Sequence, residues 1–164
     1  MEALWKTALW NQFGAAIDML DNALDACPPD AWRARVVDVP FWYVAYHTLF
    51  WLDLYLSGTA EGFAPPAHFT FDELDPAAVL PDQPYTKDDI RAYLQHCRAK
   101  CQSTIIALTD ARAQQRCVFG SRESSFLELL LYTMRHVQEH AAQLSLVLGQ
   151  QIGWNPGWVA KARD

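Results

Sequence analysis

The residues of this chain best suited to chemistry are three histidines. His136 and His140 lie four positions apart in Arg135-His136-Val137-Gln138-Glu139-His140. On a helix that is about one turn, so both rings leave the same face at metal-ligand spacing. His47 sits in a distant aromatic stretch, Tyr46-His47-Thr48-Leu49-Phe50-Trp51-Leu52-Asp53. Three neutral imidazoles drawn from two helices could hold a divalent ion and leave coordination positions open, as catalytic rather than structural sites do. The ion's charge would stay uncompensated, so a thiol or water bound to it would lose its proton near neutral pH. The resulting nucleophile would attack a nearby electrophile. Zinc, nickel, copper and iron all accept such a donor set. The competing reading is that each histidine is a hydrogen-bonded packing group, the commoner fate of a lone buried imidazole.

Other patterns carry less. His136-Val137-Gln138-Glu139-His140 matches the H-x-x-E-H string of inverted zinc proteases. Those enzymes need a further carboxylate ligand downstream, and the only acid after His140 is Asp164. Glu139 is expected to face solvent. A di-iron carboxylate bundle needs Glu three residues before His, and none of His47, His136 or His140 has it. Cys97 and Cys101, next to His96, fall on an apolar helical seam and read as small buried hydrophobes. His68 and His96 have no partner pattern. Neither a phosphate-binding glycine loop nor a nucleophile elbow is present.

The elements that must position the histidines can be read from periodicity. A first helix spans roughly Glu2 to Ala26, where Leu9, Phe13, Ala16, Leu20, Ala23 and Cys27 follow steps of four and three. Pro28-Pro29 stops it. A second runs roughly from Pro40 to Leu56, with Ser57-Gly58 as its stop, and its seam Tyr43, His47, Phe50, Leu54 turns His47 inward. Gly58 to Tyr85 is a proline-rich connection of roughly 28 residues, long for a compact domain. A crossover along the length of a helix would explain it, leaving the second and third helices parallel.

Thr86 caps a third helix whose first turn carries Asp88 and Asp89. Ser125-Phe126-Leu127-Glu128 fits a capping box that opens the fourth, expected to end near Gly149. On that helix Leu130, Met134, Val137, Ala141, Leu144 and Leu148 form the core seam. Leu129, Thr133, His136, His140, Gln143 and Val147 form a mixed stripe beside it. Polar groups there imply a polar cavity between helices. The tail Trp154-Asn155-Pro156-Gly157-Trp158 is expected to pack back on the helices. With no alternating strand pattern, the expectation is an all-α four-helix bundle with a long crossover between helices two and three, one domain over residues 1–164.

Composition limits the partners. Half the residues are apolar, 13% are aromatic, and seven are tryptophan, enough for a large core. A net charge of −6 disfavours nucleic acid and anionic membrane surfaces. Phe41 to Leu56 is too short to span a bilayer and carries His47 and Asp53. No secretory leader is visible, so the cysteines are expected to be reduced and the protein cytoplasmic.

Taken together, His47 in its aromatic helix, the His136/His140 pair of the last helix and the long connection after helix two resemble the DinB/YfiT-like superfamily of metal-dependent enzymes. The resemblance covers nearly the whole chain. It implies a four-helix bundle with parallel second and third helices, and a zinc or nickel ion held by His47, His136 and His140. It further implies transfer of a low-molecular-weight thiol of the bacillithiol or mycothiol type to an electrophile. Metal-dependent hydrolysis and a non-catalytic stress-response bundle are the alternatives, and a homodimer is a further implication. Trp51 and Tyr132, one turn from His47 and His136, would line the cavity or simply pack.

Overall fold

The computed structural model of the protein describes residues 2–75, 77 and 80–163. Four long helices dominate: α1 (Glu2–Ala26), α2 (Phe41–Ser57), α3 (Lys87–Ile106) and α5 (Phe126–Ile152), with a short α4 (Asp110–Gln114) between the last two. α1 and α2 each pack against both α3 and α5. The expected seam of α1 is buried along its length, from Leu9 through Phe13, Ala16, Leu20 and Ala23 to Cys27. Phe13, Phe41, Phe50 and Phe126 are fully enclosed, each such ring contributing about 1.5–3 kcal/mol of burial.

The helix ends follow local chemistry. Gly58 stops α2 with φ 76° and donates its N–H to the Tyr55 carbonyl, a left-handed conformation that glycine adopts without a Cβ clash. Thr86 and Asp89 cap α3 reciprocally, each side chain accepting from the other's backbone N–H. Ser125 accepts from the Glu128 N–H to start α5.

Polar contacts tie α2 to α3. The Cys97 thiol donates to the Leu49 carbonyl, Tyr93 and Lys100 reach Asp53, and Lys100 also reaches Ser57. These contacts explain how an acid is tolerated in the apolar α2. Asp53 is 1% exposed, but Lys100 Nζ donates to its Oδ1 at 2.5 Å and the Tyr93 hydroxyl donates to its Oδ2 at 3.1 Å. A buried carboxylate without such partners would be severely destabilising. The connection from α2 to α3 is pinned as it passes: Tyr46 donates to the Thr70 carbonyl at 2.7 Å and Trp32 Nε1 to the Tyr85 carbonyl at 2.9 Å. One 3₁₀ turn, Asp72–Leu74, lies within it.

Two expectations are corrected. The chain does contain strands, in two small antiparallel hairpins: β1 (Arg35–Val36) with β2 (Val39–Pro40), and β3 (Arg116–Phe119) with β4 (Arg122–Ser125). They are too short for alternation to stand out, although Gly120-Ser121 between β3 and β4 is a two-residue hairpin loop, with Gly120 at φ 59°. The last helix runs past Gly149 to Ile152, and Gly153 at φ 67° is its true cap. Gly149 instead makes room for the tail, since a Cβ there would sit 3.3 Å from the Trp154 carbonyl oxygen. The tail does return, with Ala162 N–H donating to Asn11 O and Arg163 N–H to Asp18 Oδ2, yet Trp158 is left 75% exposed.

Candidate metal centre

α2 and α5 bring the three histidines together. His136 Nε2 lies 3.2 Å from His47 Nε2 and 3.1 Å from His140 Nε2. One ligand atom from each ring can be chosen so that all lie within 4.8 Å of one another. The rings meet at steep angles, 53° for His47 with His136 and 84–85° for the other two pairs, so they converge through nitrogen rather than stack. Nitrogens bound to one ion at about 2.0–2.1 Å are about 3.0–3.4 Å apart. The two measured separations fall in that interval.

The outer nitrogens decide what the inner ones can do. His47 Nδ1 is 2.7 Å from Glu73 Oε2, and the carboxylate can only accept, so Nδ1 carries the proton. His140 Nδ1 lies 2.8 Å from Gln143 Oε1 and donates to that amide oxygen. Both Nε2 atoms therefore present lone pairs to His136. Its ring can offer at most one Nε2 proton and so can satisfy only one neighbour. A cation among the three nitrogens removes the conflict, and the donor set is compatible with a divalent ion. His136 Nδ1 is buried and has no hydrogen-bond partner among the described residues.

Electrostatics keep His136 and His140 neutral, the form a ligand requires. Burial, then the charges of His140 and His47, push the His136 pKa down to about 3. Burial also lowers His140, against the opposing effect of its hydrogen bond to Gln143. Burial pushes the Glu73 carboxyl up, but hydrogen bonding to and charge from His47, with bonds from Tyr43 and Trp51, win and hold it ionised below its ordinary range. Glu73 also accepts from Trp51 Nε1 at 2.7 Å.

Glu73 is the neighbour of the centre that periodicity missed. It belongs to the 3₁₀ turn of the long connection, where no helical phase links it to His47. His136 and His140 lie on the half-buried stripe beside the α5 core seam, and His47 is half-buried on α2. Glu139 is exposed. His96 sits 3.4 Å from Asp53 and His68 3.3 Å from Asp89, both outside the centre. Cys97 and Cys101 are fully buried, and burial raises both thiol pKa values. Trp51 is tied to Glu73, while Tyr132 packs on Tyr55 under the Arg122 guanidinium.

A cavity of about 340 Å³ opens beside His47 and His140, between α2, α5 and the β1–β2 hairpin, walled by Val36, Val39, Tyr43 and Val44. A larger hollow of about 510 Å³ lies between α1 and α5 and contains none of the three histidines. Among the described residues, no helix is long and apolar enough to cross a membrane.

A family model described as the DinB superfamily matches residues 12–144, a stretch that includes all three histidines and Glu73. No curated protein and no solved structure matches the chain.

Proposed function

Since the chain belongs to the DinB superfamily, we propose that it is a metal-dependent enzyme whose zinc or nickel ion is held by His47, His136 and His140. Its reaction on this reading is transfer of a small thiol, of the bacillithiol or mycothiol type, to an electrophile. The observation that carries the reading is the convergence of three Nε2 atoms, two of them locked as acceptors by Glu73 and Gln143.

When bound, the ion supplies Lewis acidity and brings the pKa of a thiol or water on it toward neutrality. The chain's own groups do the rest. Glu73 fixes the tautomer and angle of His47, and its charge faces the centre through that ring. Gln143 does the same for His140 without adding charge. The valine-walled cleft offers an apolar surface beside His47 and His140. The nucleophilic sulfur must come from outside, because all four cysteines are buried. The same reading takes the chain as one cytoplasmic domain, a four-helix bundle in which the connection after α2 sets α2 and α3 parallel, and as a homodimer.

Elemental analysis of the tag-free wild type beside His136→Ala tests the centre. About one equivalent of zinc or nickel is expected in the wild type alone; equal metal in the variant overturns the assignment. Screening of electrophiles with and without added thiol tests the reaction. Turnover that needs no thiol would mean hydrolysis instead.

A further inference from the structure

The cavity beside His47 and His140 is polar at the histidines and Gln143 and mostly apolar elsewhere. Val36, Val39, Val44 and the Tyr43 ring supply its sides, and Val37 stands at its rim. Its one charged neighbour, Asp38, is 89% exposed and paired with Arg35 at 3.4 Å. Neither lysine nor arginine lines it. An anionic group held against the valine end, away from the histidines, would lose hydration and meet neither lysine nor arginine there. An apolar group would gain from contact with the valines.

The rim carries a second mark. Val37 holds φ 59° and is 83% exposed. A β-branched residue in that region is a genuine backbone outlier, and such strain collects at ligand clamps and active sites. Glycine would relieve it. The strained branched residue instead keeps an apolar side chain at the cavity mouth, without core packing to hold it there.

We infer that this cleft is the substrate pocket of the three-histidine centre, and that it selects electrophiles whose far end is uncharged and apolar. The inference rests on the metal-centre reading for where the reacting atom sits. The cleft's own preference stands on its walls. At about 340 Å³ the cavity is at the small end of ligand pockets, which suits a single ring or a short alkyl chain.

A matched pair of probes tests this: benzaldehyde and its para-carboxylate analogue, which share an electrophilic end and differ by one distant charge. Binding is followed without added thiol through the methyl NMR signals of Val36, Val39 and Val44 in the zinc-incubated chain, with zinc content measured on the same sample. The neutral aldehyde is expected to bind at least about tenfold more tightly, because the charged one must be desolvated without a partner. Val39→Asp is expected to weaken the neutral aldehyde by about tenfold at unchanged zinc content. Val37→Gly, which removes only an exposed side chain at positive φ, is expected to keep the fold and weaken the same probe. Equal or tighter binding of the carboxylate overturns the inference, as does indifference to Val39→Asp. If the chain retains no zinc, the metal reading falls, and the probe pair still decides the cleft. Valine shifts with the neutral probe alone uphold it, and their absence removes it.

Discussion

Glu73 and His47 are 26 positions apart in the chain and 2.7 Å apart in space. The bond joins the connection after α2 to one of the three candidate ligands. Because the carboxylate can only accept, it fixes which nitrogen of His47 faces inward. The same oxygen takes the Trp51 indole N–H, so one acceptor holds two side chains a turn apart on α2.

Removing that carboxylate is expected to loosen the metal rather than unfold the protein. Glu73→Ala should weaken zinc or nickel binding by about 10- to 100-fold, the usual cost of losing such a partner. Glu73→Gln should fall between it and the wild type, since an amide oxygen still accepts from Nδ1–H but brings no charge. Competition titration against a chelator measures both. Unchanged affinity in the alanine variant would mean that His47 needs no orientation.

The metal-free protein is expected to lose stability as pH falls. His136 and His140 titrate below their ordinary value of 6.5 in the folded state, His136 at about 3. Below 6.5 the unfolded chain therefore binds protons that the folded chain refuses. The loss should begin as pH drops through 6.5 and continue toward about 3. Glu73, whose folded pKa lies below 4.5, adds a loss of the same sign in the acid part of that window. Urea midpoints of chelator-treated protein across this range check the sign; a midpoint that rises on acidification contradicts it.

Asp53→Ala should be among the more damaging single changes. It strands the Lys100 ammonium and the Tyr93 hydroxyl on the inside of α3. Removal of one partner of a buried pair costs about 3–5 kcal/mol, and the lower end applies because Lys100 is 28% exposed. Chemical denaturation gives the value, and a loss within experimental error would show that water reaches Lys100 readily.

The four thiols should be silent in the native protein. All are buried, and burial raises each pKa, that of Cys27 to about 11. A disulfide-exchange reagent at neutral pH is expected to find no reactive cysteine until denaturant is added, then four. Fast labelling of any of them in the folded chain would reopen the question of an internal nucleophile.

The helices and the histidine triplet were legible because both rest on local rules. Steps of four and three fix a helical face, and the spacing of His136 and His140 turns that face into a chelating pair. Thr86, Gly58 and Ser125 mark ends through hydrogen bonds made within a few residues. The remainder was hidden for the same reason. The β1–β2 hairpin has two residues per strand, too few for a period. Glu73 approaches His47 through a connection whose path is set by tertiary contacts, Tyr46 with Thr70 among them. Gly149 looked like a helix stop because glycine often is one, but here it serves a close approach of Trp154.

The 89 positions between His47 and His136 set an order of events. Each helix can form on its own within microseconds, but the nitrogens converge only after a long loop has closed, and non-local closure is the slow part of folding. Metal uptake by this chain should therefore lag behind the recovery of helical signal on refolding, so that the ion reports completion of the fold rather than templating its start.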